Sequence, residues 1–212
     1  MVIVADNFIV IDIETIPNED LIGLLPTPTP SGVLKDPAKI EADIAKKREE
    51  QVQKMALDGL WGKVACIGYM NSSYQDVHIA DEKEMLEEFV GRTCDKQVVT
   101  YNGKGFDIPF IAKRCAILGV KSLHSFDKWL NKYDNERHLD IMLSWCGSNK
   151  YEKLDTLAKV ILGESKEEFD VSKISEYLKT DTGREMLKRY CIKDCELVYK
   201  LKRRLYDREG LF

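Results

Sequence analysis

The chain is poor in the features that announce many protein classes. Only three histidines occur, at 78, 124 and 138, and none has a partner at zinc-site spacing. The six cysteines (66, 94, 115, 146, 191 and 195) form no C-x-x-C pair and no regular framework, which excludes a disulfide scaffold and reads as reduced thiols. No apolar run is long enough to cross a bilayer, and the N-terminal residues show neither a basic n-region nor a small-residue cleavage site. The expected location is cytoplasmic, with no membrane partner. Charge of one sign is also lacking: 36 acids face 32 bases, a net of −4, which argues against coating a polyanion by charge alone. Of six prolines, four fall within residues 26–37, so the rest of the chain is nearly free of them.

What is present suits one α/β domain over residues 1–212, with 44% hydrophobic residues to build its core. "NFIVIDIET" reads as a first strand, "KVACIGYM" (63–70) and "QDVHIA" (75–80) as two more, and "KQVVTYNG" (96–103) as a fourth. Helical spacing appears in "DEKEMLEEFVGRT" through Met85, Leu86, Phe89 and Val90. A further helix, "IPFIAKRCAILG", has Pro109 in its first turn and Gly119 as its stop. "HLDIMLSW", a helical "LDTLAKVILG" and a final helix over about 183–208 complete the chain. This order predicts a mixed sheet flanked by helices. Between the first two strands, residues 18–60 read as an inserted arm: a proline-rich loop, then a helix with Asp36 as N-cap, Pro37 at N1 and Gly59 past its end. Ile40, Ile44, Val52 and Met55 give that helix a thin apolar stripe, as for a packed surface appendage or a strand guide.

The acids are oddly placed. Alternation along "VIDIETIP" puts Val10, Asp12 and Glu14 on one face of the first strand and Ile9, Ile11 and Ile13 on the other. On the last helix, Asp194 continues an apolar stripe of Leu187, Tyr190, Cys191, Leu197, Val198, Leu201 and Leu205. Burying an unpaired carboxylate there costs several kcal/mol, so such an acid is paired, hydrogen-bonded or holding a cation. Tyr190 lies one turn earlier on the same face. Asp107 follows the fourth strand just before the Pro109 helix. Singly, each acid has an ordinary role: Asp107 as a helix cap, Asp194 in an ion pair, Asp12 and Glu14 at the end of an exposed edge strand.

Together, D-x-E on the first strand, N-x-x-x-F-D at a strand-to-helix loop and Y-x-x-x-D on a late helix resemble the DEDDy branch of the DEDD 3′→5′ exonucleases. That branch has a ribonuclease-H-like fold. "DIET", "YNGKGFDIPFI" and "YCIKDCELVYKL" are similar to the proofreading domain of B-family DNA polymerases. They are more similar still to stand-alone, polymerase-B-like exonucleases of bacteria and phages. The inserted arm departs from the polymerase domains.

The resemblance implies a metal-dependent 3′→5′ exonuclease that acts on single-stranded DNA ends and releases nucleoside 5′-monophosphates. It implies two divalent ions, Mg²⁺ or Mn²⁺, held by Asp12, Glu14, Asp107 and Asp194. Tyr190 would orient the attacking water, since a phenol with pKa near 10 is a poor base at neutral pH. Oxygen ligands suit these ions. Setting the four acids aside leaves 32 against 32 bases, so two divalent ions would neutralise the site's own charge. Thr15, Ile16, Asn102 and Phe106 are implied substrate contacts, with Phe106 equally suited to the core. Lys104 reads as an exposed loop lysine, "KLKRR" (200–204) as a solvated helix face, and Asp140 has no assigned role. A 3′→5′ exoribonuclease and an inert module binding nucleic acid or a polymerase are the alternatives; a polymerase or a replication or repair protein is the implied partner.

Overall fold

The structure, a computed structural model, describes residues 7–121, 126–147 and 150–207. His124 and the expected end of the last helix at 208 lie outside them. Five strands, β1 (Phe8–Pro17), β2 (Gly62–Met70), β3 (Gln75–His78), β4 (Gln97–Thr100) and β5 (His138–Asp140), form one sheet in the order β3-β2-β1-β4-β5. β1 is antiparallel to β2 and parallel to β4, so the sheet is mixed, as expected. The strand that carries the D-x-E pair is therefore central, not an edge strand. Helices α1 (Pro37–Met55), α2 (Glu82–Thr93), α3 (Asp107–Leu118), α4 (Phe126–Leu130), α5 (Ile141–Cys146), α6 (Leu154–Leu162), α7 (Ile174–Tyr177) and α8 (Asp181–Tyr206), with short 3-10 helices at Glu19–Leu24 and Val171–Lys173, complete the described fold. Among the described residues, no helix is long and apolar enough to cross a membrane.

The alternation read from β1 decides which helices pack where. Ile9, Ile11 and Ile13 join α2 and α3 through Met85, Phe89, Ile108 and Ile111. Phe8 and Val10 face α6 and α8 through Leu157, Val198 and Leu201. Asp12 and Glu14 consequently point to the α8 side. The stripe on α8 is buried along its length, and Asp194, which interrupts it, is only 3% exposed.

Elements end where local chemistry forces them to. α1 starts as expected, with the Asp36 side chain accepting the Ala38 N–H, but it stops at Met55, four residues before Gly59. β3 ends at His78, and β4 ends at Thr100 instead of continuing to 103 because Asn102 takes a left-handed conformation with φ 66°. "HLDIMLSW" changes from strand to helix at Asp140, whose carboxylate accepts the Leu143 N–H as the cap of α5. Gly119 closes α3 at φ 68°.

Close approach of α8 to the sheet depends on one glycine. Gly68 pairs with Asp12 across β1 and β2, and a Cβ at this position would lie 2.7 Å from the Cys191 sulfur and 2.8 Å from the Cys195 sulfur. Cys66, Cys191 and Cys195 are fully buried free thiols, used here as small packing groups. Gly68→Ala should cost about 1–3 kcal/mol by overpacking. Thermal denaturation should show a lower Tm, partly restored by Cys191→Ala; an unchanged Tm would contradict this packing.

Candidate active site

Asp12 and Glu14 project from β1, and Asp194 reaches them from α8. Each offers a carboxylate oxygen lying within 4.8 Å of those of the other two. The β1–β2 register shifts between Glu14 and Thr15, so the bulge falls immediately after the acidic pair. Asp194 Oδ2 pairs with Lys166 Nζ at 2.5 Å, while its Oδ1 is buried and makes no hydrogen bond among the described residues. A buried carboxylate oxygen without a partner costs free energy that a cation would offset. The orphaned oxygen and the all-carboxylate donor set fit a hard divalent ion.

Asp107 stands beside this trio and does not cap its helix. It is the first residue of α3, the cap position belongs to Phe106, and no side chain caps there. Asp107 Oδ1 instead accepts the N–H of Ile13, between the two strand acids, at 3.2 Å. The turn that delivers it is fixed from outside. Asp140 accepts the backbone N–H groups of Asn102 at 3.0 Å and Lys104 at 2.9 Å. Thr100 Oγ1 accepts the Gly103 N–H at 3.1 Å and meets His138 Nε2 at 2.8 Å, and His138 Nδ1 lies 2.7 Å from the Trp129 carbonyl. Because Trp129 offers only an acceptor, Nδ1 carries the proton and Nε2 accepts from Thr100. Burial pushes His138 down to about 4, which keeps the ring neutral. Asp140, unassigned from sequence, is thus the organiser of this turn.

Crowding reshapes the acids. Asp12 is held well above the ordinary carboxylate range, first by burial, then by Cys191 and by the neighbouring Glu14, Asp194 and Asp107. Glu14 is raised in the same way, with Lys166 opposing. Asp194 is raised by burial against the pull of Lys166. Burial lifts Asp107 to about 7, offset in part by backbone hydrogen bonds including that from Ile13. Tyr190 is pushed up by burial and then by Asp194 and Glu14, so its hydroxyl stays protonated. Its ring stacks on Phe169, with centroids 4.3 Å apart and planes within 9°. Burial pulls the Lys166 ammonium down, but Asp194 and Tyr190 outweigh it and the net direction is up.

Lys166 and Phe169 went unrecognised in the sequence. They sit in an irregular segment between α6 and α7, where no periodicity marks them, and a lysine three residues before an aromatic is too common a pattern to stand out. The implied contact residues have mixed placements. Thr15, Ile16, Phe106 and Glu14 line a single cavity of about 520 Å³, and Asn102 does not line it. The Thr15 hydroxyl donates to the Ala56 carbonyl at 2.6 Å. Phe106 tilts against Phe110 with centroids 5.7 Å apart. Lys104 is not an exposed loop lysine: its side chain folds back so that Nζ donates to the Asp134 carbonyl at 3.0 Å. In "KLKRR", Lys200 pairs with Glu164 and Glu196 near the surface, but Leu201 is buried and Lys202, paired with Asp207, lies over the Phe8 ring at 4.0 Å, so the segment is not a wholly solvated face. His78 pairs with Glu88, and neither described histidine enters the acid cluster.

The Asp107 carboxyl yields a pH-dependent expectation. Its folded value near 7 lies above its ordinary 3.8, so the native state binds this proton more tightly than the unfolded state. Its contribution is fully present below about pH 4 and is lost as pH rises through 7. Asn mimics the neutral form and can still accept from Ile13. In EDTA, Asp107→Asn should raise Tm on the order of 10 °C at pH 8 and less than half as much at pH 5. Equal shifts at both pH values would contradict the assignment.

Comparison with known proteins agrees with this architecture. Residues 56–206 match the RNase_H superfamily. A DNA polymerase of Thermococcus sp. (strain 9oN-7) is 24% identical over 169 residues, covering 72% of this chain and 22% of the polymerase. The DNA polymerase of Thermococcus gorgonarius is 26% identical over 153 residues, 65% of this chain and 20% of its own length. The chain thus spans about a fifth of these curated relatives. The structure of the family B DNA polymerase from Pyrobaculum calidifontis covers 92% of this chain with a TM-score of 0.57 at 18% identity, over 24% of the polymerase, and so shares its fold. On the extent of the matched segment and the mixed sheet that carries it, the chain belongs to the RNase_H superfamily.

Proposed function

We propose that the chain is a DEDDy-type 3′→5′ exonuclease that hydrolyses the terminal phosphodiester of single-stranded DNA and releases nucleoside 5′-monophosphates. The observation that carries this reading is the meeting of Asp12, Glu14 and Asp194 within 4.8 Å, with a buried Asp194 oxygen left unpartnered and Tyr190 one turn away. The similarity to DNA polymerases supports a nucleic-acid substrate and a polymerase or a replication or repair protein as partner.

Asp12, Glu14 and Asp194 would hold one Mg²⁺ or Mn²⁺, and Asp12 with Asp107 a second. When bound, such ions would supply an activated water and neutralise charge on the phosphate. The chain's own residues do the positioning. Tyr190, protonated and clamped by Phe169, presents an O–H that can orient a water without abstracting its proton. Lys166 offsets the charge of Asp194 and stands 5.2 Å from the Tyr190 ring, which fixes the tyrosine relative to the acids. Asp107, tied to the Ile13 amide, sets the distance between the α3 turn and β1.

On 5′-labelled single-stranded DNA, the protein in Mg²⁺ should give a ladder shortening from the 3′ end, stopped by EDTA and restored by Mn²⁺. Asp12→Ala with Glu14→Ala should lower kcat roughly a thousand-fold or more while circular dichroism stays unchanged. Cleavage by the double variant at the parent rate, or turnover in EDTA, would overturn the reading. Faster degradation of a matched RNA would reassign the substrate to RNA.

A further inference from the structure

β2 is longer than its neighbour β3. Pairing with β3 covers only residues 67–70 of β2, because the chain leaves the sheet after His78 and Asp81 caps α2. Lys63, Val64 and Ala65 therefore line a cavity of about 1030 Å³ instead of meeting another strand. The cavity is separate from the acid cluster: none of Asp12, Glu14, Asp107, Tyr190 and Asp194 lines it. A bare strand edge invites a further strand. Here that pairing is blocked at Val64, whose N–H is accepted by Glu82 at 2.8 Å, and the buried Arg114 guanidinium holds Glu82 in turn at 2.7 and 2.8 Å. The cavity thus suits incoming side chains more than an incoming strand.

Its rim is apolar and uncovered. Leu24 of the first 3-10 helix, Leu60 of the turn before β2 and Ile117 of α3 belong to three separate elements, yet all line this cavity and stay 69%, 52% and 49% exposed. Large apolar side chains that converge on one open cavity mark an interaction site, whereas scattered ones do not.

Charge decides what kind of partner fits. The acids of the lining are committed: Asp20 pairs with Lys63 at 2.9 Å, Glu82 with Arg114, and the Asp81 carboxylate accepts the Lys83 N–H as the α2 cap. The cations of Lys83 and Arg184 are only weakly neutralised, by Glu87 at 4.0 Å and Asp181 at 3.5 Å, in pairs that lie open to solvent. Such exposed pairs contribute about 0–1 kcal/mol and exchange readily for better ones. Two cations beside an apolar rim match a partner that brings carboxylates and apolar anchors together. A nucleic-acid strand matches less well, since its regularly spaced phosphates would also pass the carboxylates of Asp20 and Asp81.

We propose that this cavity docks an acidic, apolar-anchored segment of a partner protein. Leucine or phenylalanine side chains of that segment seat among Leu24, Leu60 and Ile117, and its carboxylates meet Lys83 and Arg184. The assignment does not depend on the exonuclease reading.

The test is selection of displayed random peptides of about twelve residues on the full chain, then calorimetric titration of the enriched peptides in EDTA. Enriched sequences should combine leucine or phenylalanine with aspartate or glutamate. Leu60→Asp and Lys83→Glu, both at exposed positions, should each weaken binding at least about tenfold while circular dichroism and any hydrolysis of single-stranded DNA stay at parent values. A peptide carrying lysine in place of its acidic residue should recover binding to Lys83→Glu and not to the parent. No acidic and apolar enrichment, or affinity that survives both substitutions, overturns the site. So does displacement of the peptide by a single-stranded oligonucleotide, which would make this face a nucleic-acid surface, or a dimer abolished by Leu60→Asp, which would give it to a second copy of the chain. Absence of cleavage by the parent rejects the exonuclease reading alone.

Discussion

Packing the apolar stripe of α8 onto the sheet forces Asp194 against Asp12 and Glu14, and that enforced proximity of three carboxylates governs the rest of the structure. Each buried Leu or Val on the stripe contributes roughly 1.5–3 kcal/mol, whereas several kcal/mol oppose every charge taken from water. The helix wins because the apolar positions of its buried stripe outnumber the one acid on it. The penalty is not removed but redistributed: Lys166 neutralises one oxygen of Asp194, and the acids' proton affinities rise. A site assembled this way favours any cation able to take several carboxylate oxygens at once. Fold stability and ion affinity therefore pull in opposite directions at the same residues.

A second layer holds Asp107 in place without touching the trio. Thr100, His138 and Asp140, all fully or nearly fully buried, satisfy the turn between β4 and α3. Their arrangement uses a neutral imidazole as both donor and acceptor, which gives the turn one geometry. Placing Asp107 on the Ile13 amide then joins α3 to the centre of β1. The same strand is tied on its other flank through Thr15 to the end of α1. β1 is thus held at the residue between its two acids and at the residue that follows them.

Much of this was legible in sequence because it follows from periodicity. Alternation in "VIDIETIP" placed Asp12 and Glu14 on the face opposite Ile9, Ile11 and Ile13, and helical spacing placed Asp194 and Tyr190 on the buried side of α8; the structure has both. Caps and stops at Asp36 and Gly119 were equally local. What escaped depends on contacts distant in sequence. Lys166 and Phe169 lie in an aperiodic segment, and their importance arises only when that segment folds over α8. Asp140 looked like a stray acid among apolar residues because its partners, Asn102 and Lys104, are 38 and 36 positions away. The strand limit at Thr100 was missed for the same reason: a left-handed asparagine stabilised by a remote carboxylate leaves no apolar pattern.

The account stands on the acids being a cation site. Anomalous diffraction from a crystal of the protein soaked in Mn²⁺ and thymidine 5′-monophosphate tests it most directly. Two peaks among Asp12, Glu14, Asp107 and Asp194 are expected, with the ammonium of Lys166 still near Asp194. Full-occupancy manganese elsewhere and none among these four carboxylates would contradict it.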